Sequence, residues 1–227
     1  MPPRYCKSPA APSRIRPGGT VVGSGLRVLD SLDAPIPQEC PVTVACAHPP
    51  LWLGADQLHP ALAEGVADWL LDAGSLTQRL TALSGGTFGI SVLDEGWMPL
   101  RSDECATLGV TGDCQGWVRE VCMFGQEQPW VFARSVALRS ILEGAGLALD
   151  GLGNRPLGEL LFGEHTAFQR GAFQVARYPA GWLPAALRRE NLWSRRSCFQ
   201  RDALGVLVTE VFLPAFWERV RINPGRL

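Results

Sequence analysis

The chain has 227 residues, a formal net charge of −1 and 46% hydrophobic residues, enough to bury one core of ordinary domain size. The near-neutral balance speaks against broad nucleic-acid binding, which leans on clustered Lys and Arg, and no breaker-free apolar run reaches the ~18 residues of a membrane span. Seven cysteines at irregular spacing and three scattered histidines (His48, His59, His165) form no metal-ligand pattern. A reducing cytoplasm is the expected setting.

Residues 1–55 are rich in Pro, Gly and Ala and read as a poorly ordered or loosely packed extension; 56–227 read as a single domain. The first residues lack the apolar stretch of a secretory signal. Pro60 to Ala73 reads as a helix with Pro60 at its first position and Leu62, Val66, Trp69 and Leu70 on one face. Ser75-Leu76-Thr77-Gln78 is a capping-box pattern, which starts a second helix that Gly85 and Gly86 stop. Thr87–Leu93 alternates as a strand. Trp117–Phe124 and Trp130–Val136 flank a turn-rich link of hairpin length. Leu138–Leu149 is mixed, and Pro156–Phe162 reads as a short helix. Ala167–Tyr178, Leu192–Gln200 and Gly205–Leu213 read as strands. Consecutive strands with helices gathered between them predict an antiparallel sheet in an α+β fold.

Charges stand on apolar faces of these strands. Strand side chains alternate, so Arg119 shares a face with Trp117, Val121 and Met123. An unpaired buried cation costs several kcal/mol, so something anionic must face it. Glu210 shares a face with Val206, Val208 and Phe212 and must be hydrogen-bonded, paired or shifted in pKa. Arg134 is expected on a face with Trp130, Phe132 and Val136. Arg195 and Arg196 are adjacent, so one of them at most is expected to face the core. Two arrangements fit the pattern. Arg119 and Glu210 pair with each other, with Glu120 taking the arginine's place in the other register, or the two line a pocket for a small organic anion.

Several ordered stretches resemble the bacterial chorismate lyase family. They are Trp69-Leu70-Leu71 through Ser75-Leu76-Thr77-Gln78-Arg79, Gly116-Trp117-Val118-Arg119-Glu120-Val121, and Gln128-Pro129-Trp130 through Arg134-Ser135-Val136. Arg155-Pro156-Leu157-Gly158 through Phe162, Trp193-Ser194-Arg195-Arg196-Ser197, and Leu207-Val208-Thr209-Glu210 through Pro214 complete the set. The resemblance covers about residues 60–217. It implies an α+β fold around a six-stranded antiparallel sheet, with helical flaps over an internal ligand cavity. It also implies conversion of chorismate to 4-hydroxybenzoate and pyruvate with no metal or cofactor, by a cytoplasmic monomer whose 4-hydroxybenzoate can enter ubiquinone biosynthesis and inhibits the enzyme as product. Carried over by position, Arg119 binds the ring carboxylate, and Glu210 holds the ring oxygen para to it and handles the proton. Leu76, where the family commonly has Met, and Leu157 offer backbone N–H groups. Arg134 and Arg196 serve the second carboxylate. The rival expectation is a non-catalytic sensor domain of the same fold that binds an aromatic carboxylate. Regulators of that kind carry an N-terminal DNA-binding helix pair, for which residues 1–55 are too rich in Pro and Gly.

Overall fold

A computed structural model describes residues 49–139 and 168–221. Within them runs one antiparallel sheet of eight strands: β1 (Leu53–Gly54), β2 (Gly89–Pro99), β3 (Gln115–Gly125), β4 (Gln128–Leu138), β5 (Gln169–Arg170), β6 (Gln174–Tyr178), β7 (Leu192–Arg201) and β8 (Leu204–Phe212). The strand order is β1-β6-β7-β8-β4-β3-β2, with β5 beside β7. Six strands have five residues or more; the two-residue β1 and β5 raise the expected six to eight. Because Leu53 and Gly54 pair with Val175 and Gln174, the folded domain begins ahead of the expected boundary at residue 56.

Helices α1 (Glu64–Leu70), α2 (Leu76–Ser84) and α4 (Pro214–Val220) supply Val66, Trp69, Leu70, Leu76, Leu80, Phe216 and Trp217 to a core on one sheet face, against Met123, Val131, Ala133, Val175, Trp193 and Phe212. This is the helix face. The other face is covered by α3 (Ser102–Thr107) and by the 3-10 turns at Ala180–Trp182 and Ala185–Leu187. Cys105 there packs with Val118, Val136 and Leu207, and Leu183 and Trp182 pack with Phe132, Tyr178 and Val211. With both faces covered, alternation along a strand no longer separates core from solvent.

Local chemistry sets the ends of α2 as expected. The Ser75 hydroxyl accepts from the Gln78 N–H at 3.3 Å, and Gly85 takes the left-handed conformation, φ 65°, that a residue with a Cβ adopts only at a cost. The first helix differs: it starts at Glu64 after Ala63, with Pro60 outside it. The β3–β4 hairpin closes through Gln126 and Glu127, both at positive φ, tighter than the five-residue link expected. The stretch expected as one strand over Ala167–Tyr178 is two pieces, β5 and β6, separated at residues 171–173.

Two β-bulges change which way side chains face. The β2–β3 register skips Leu93, pairing Val92 with Val121 and Asp94 with Glu120. The β3–β4 register skips Trp130, which joins the helix-face core and therefore does not share the Arg134 face. Cys105 and Cys114 form a disulfide that ties α3 to the segment before β3. This departs from the expected reduced cysteines: α3 folds back so that the Leu100 N–H meets the Cys114 carbonyl at 2.9 Å. The expected helix over Pro156–Phe162, the residue Leu157 and most of Leu138–Leu149 lie outside the described residues. No helix among the described residues is long and apolar enough to cross a membrane.

Candidate active site

The register places Arg119 and Glu210 on the same helix face. Arg119 on β3 pairs with Ser135 on β4, which pairs with Val208 on β8; Glu210 is the next residue of that β8 face and pairs with Ala133. Two strand spacings and two residues separate their Cα atoms, roughly 12 Å on the diagonal. Buried residues of modest size, Ala133 and Ser135, floor the gap. Arg119 is 2% exposed and Glu210 8%.

The two do not pair with each other, nor does Glu120 substitute for either. Arg119 forms an ion pair with Glu95, which the register sets directly opposite on β2. The bulge at Leu93 brings Glu95 there; without the extra residue the carboxylate would point away from Arg119. Glu210 accepts a 2.6 Å bond from Nε of Arg195, its register partner on β7. Arg195 is wholly buried. Its Nη1 donates to the carbonyls of Trp69 at 3.0 Å and Asp72 at 2.9 Å, at the C-terminal end of α1.

The α1–α2 corner is held by more charge. The guanidinium carbon of Arg79 lies over the Trp69 ring, 3.7 Å from its centroid, and Arg79 bonds Asp68 at 2.8 Å and Asp72 at 3.1 Å. Burial raises the Asp72 pKa, but the Gly74 N–H and Arg79 outweigh it and hold the carboxyl below its usual value. Arg170 donates to the Ala73 and Gly74 carbonyls at 3.0 and 3.2 Å. Leu76 is the first residue of α2, and its buried side chain packs in the core that contains Ala133. The first N–H groups of a helix have no intrahelical acceptor, and the Leu76 N–H is one of them.

Arg134 and Arg196 are not brought to this face. Both point to the opposite one, where the register aligns Glu120, Arg134, Thr209, Arg196 and Gln174. Arg134 grips Glu104 through Nε at 2.6 Å and Nη2 at 3.0 Å and reaches Glu120 at 2.8 Å. Burial pulls its guanidinium down, yet Glu104 and Glu120 hold it above its usual value. Arg196 bonds Asp103 at 2.9 Å and Gln174 at 2.8 Å, and burial lowers it to about 10 against the pull of Asp103 and Glu104. Both members of the Arg195–Arg196 pair are buried, on opposite faces, which corrects the expectation of one at most.

A covered sheet face with a paired arginine at one end, a paired carboxylate at the other and an uncharged floor between suits a flat anion with a polar group at its far end. The chain matches the family model described as Chorismate lyase over residues 47–222. The chain belongs to the chorismate lyase family. A probable chorismate pyruvate-lyase of Pseudomonas aeruginosa is 58% identical over 172 residues, 76% of this chain and 96% of that protein. A probable chorismate pyruvate-lyase 2 of Pseudomonas fluorescens is 55% identical over 175 residues, 77% of this chain and 95% of that protein. Among solved structures, the C-terminal domain of a histidine utilization repressor from Pseudomonas syringae pv. tomato aligns with a TM-score of 0.45 at 11% identity, over 62% of this chain and 98% of that one.

Sequence reasoning missed Glu95 and the contact of Arg195 with Glu210. Glu95 carries no signal, because a bulge leaves no fixed residue signature. Arg195 was within reach: Glu210 needed a cation, and in an antiparallel hairpin turning at Asp202-Ala203 its cross-strand partner is Arg195.

Proposed function

We infer that the protein is a chorismate pyruvate-lyase, converting chorismate to 4-hydroxybenzoate and pyruvate. The observation that carries the reading is identity above one half with chorismate pyruvate-lyases over three quarters of the chain. The geometry of Arg119 and Glu210 supports the residue roles. Arg119, turned toward the helix face and steadied by Glu95, takes the ring carboxylate in a charge-assisted contact. Glu210 holds the ring oxygen at the para carbon, C4. The enolpyruvyl ether leaves from the neighbouring carbon, C3. In net terms the C3–O bond breaks with its electron pair passing into the side chain, C4 loses a proton, and the side-chain methylene carbon gains one. The ring becomes aromatic and the side chain becomes pyruvate.

Aromatisation supplies the driving force, so the protein's part is orientation and polarisation. The Leu76 N–H adds a donor for the ring carboxylate from the helix above. The α1–α2 hairpin acts as a cover that moves for exchange, so the reading includes inhibition by 4-hydroxybenzoate and turnover limited by opening. It further takes the enzyme to be a cytoplasmic monomer. The test is purified protein with chorismate and no added metal, followed by chromatography of the products. Pyruvate and 4-hydroxybenzoate are expected in equal amounts. Binding of 4-hydroxybenzoate without product formation would make this a sensor module instead.

A further inference from the structure

Chorismate carries two carboxylates, and Arg119 accounts for one. We propose that Arg195 is the second anion-binding residue of the site, its unused Nη2 donating to the carboxylate of the enolpyruvyl side chain. The proposal rests on the lyase reading above and deepens it.

Three observations carry it. The first is the state of the guanidinium. Arg195 is fully buried, its Nε serves Glu210, and its Nη1 serves the Trp69 and Asp72 carbonyls. Its Nη2 has no acceptor among the described residues. A buried charged donor left without an acceptor is costly, and the unused Nη2 can donate to one carboxylate oxygen.

The second observation is position. Arg195 is the direct register partner of Glu210. The ring oxygen that Glu210 holds is on C4, and the ether is on the adjacent C3. The side-chain carboxylate must therefore fall within a few bonds of Glu210, where Arg195 lies. Arg134 and Arg196 are on the other face of the sheet, committed to Glu104, Glu120, Asp103 and Gln174.

The third is the surroundings. Phe173 and Phe212 have ring centroids 4.7 and 5.9 Å from the Arg195 guanidinium carbon, which keeps water away and strengthens a charge contact. Arg170 lies against the same Phe173 ring at 4.6 Å. Burial pulls the Arg170 guanidinium below its usual value; Glu210 raises it, Arg195 lowers it and Asp72 raises it. Arg170 and Arg195 thus both feel the Glu210 carboxylate at this end, and Asp72 is engaged by Arg79. Departure of the side-chain carboxylate as pyruvate removes its contact with Arg195 from the product complex.

The test compares two aromatic probes that differ by one carboxylate, 3-(carboxymethoxy)-4-hydroxybenzoate and 3-ethoxy-4-hydroxybenzoate, by calorimetry. Wild-type protein is expected to bind the dicarboxylate at least about tenfold more tightly. Arg195→Gln should erase that preference and Arg195→Lys retain part of it. Should Arg195→Gln fail to fold because Glu210 is left unpaired, the neutral pair Arg195→Gln/Glu210→Gln gives the same readout. Equal binding of the two probes by wild type, or a preference that survives the loss of Arg195, overturns the assignment. Release of pyruvate from chorismate by the wild-type protein tests the lyase reading separately, so either idea can fail alone.

Discussion

The two faces of the sheet carry buried arginines of similar exposure, yet they are built differently. On the face under α3, Arg134 meets Glu104 and Glu120, and Arg196 meets Asp103 and Gln174, in a single register row. The acids come from α3 and β3, and Asp103 Oδ1 is left without a hydrogen-bond partner among the described residues. On the helix face, Arg119–Glu95 and Arg195–Glu210 sit about two strands and two residues apart, over Ala133 and Ser135. One cluster is compact; the other is two pairs held apart, with one unused donor nitrogen, Arg195 Nη2. A buried ion pair is therefore weak evidence of a site by itself. Separation across an uncharged floor, beneath a capped helix, is the informative feature.

The largest effect that would break this contrast is on the face under α3. Arg134→Ala leaves Glu104 and Glu120 facing each other in a buried region and is expected to destabilise the fold by about 3–5 kcal/mol in urea unfolding. Whatever fraction remains folded should keep the wild-type affinity for 4-hydroxybenzoate. A mild stability loss with abolished binding would place Arg134 in the site after all.

Next in size is the helix face. Arg119→Ala should lower kcat/KM for chorismate by at least about a hundredfold, near the cost of losing a charge-assisted bidentate contact, and weaken 4-hydroxybenzoate binding in parallel. Its cost in stability should be smaller than that of Arg134→Ala, because the Glu95 side chain it leaves behind is 21% exposed and can hydrate. Wild-type turnover by folded Arg119→Ala would remove the residue from the site.

The sequence carried the parts of this picture that depend on local rules. Ser75 with Gln78, and Gly85 at the other end, marked α2 because capping is a short-range hydrogen-bonding matter. The hairpins β3–β4 and β7–β8 were readable from alternation broken by turn residues. Arg119 and Glu210 stood out because each interrupts an apolar face. What depends on one inserted residue was not readable. Leu93 turns Glu95 toward Arg119, and Trp130 leaves the Arg134 face for the opposite core. Coverage of both faces was the other hidden fact. With helices on one side and α3 with the 3-10 turns on the other, Arg195 and Arg196 could both be buried, which alternation does not reveal; only the hairpin register singles out Arg195 as the partner of Glu210. The family resemblance assigned Arg134 and Arg196 to the ligand; the register sends them to the other side.

The smallest effect sharpens the role of α2 above the helix face. The Ser75 hydroxyl caps α2 through the Gln78 N–H, and the cap is solvent-exposed. Ser75→Ala should cost about 1 kcal/mol, a fall in Tm of about 2–4 °C for a chain of this size. Leu76 directly follows the cap and anchors α2 beside Leu80 on the sheet core. Fraying that turn displaces the Leu76 N–H, so 4-hydroxybenzoate affinity should drop a few-fold along with Tm. Ser75→Asp separates capping from anion binding. Aspartate caps as well as serine and should restore Tm, but its carboxylate repels a ligand carboxylate placed at the same helix end. Recovery of stability without recovery of affinity is therefore expected. Recovery of both would mean that the ligand's charge lies elsewhere on this face and that Leu76 contributes only packing.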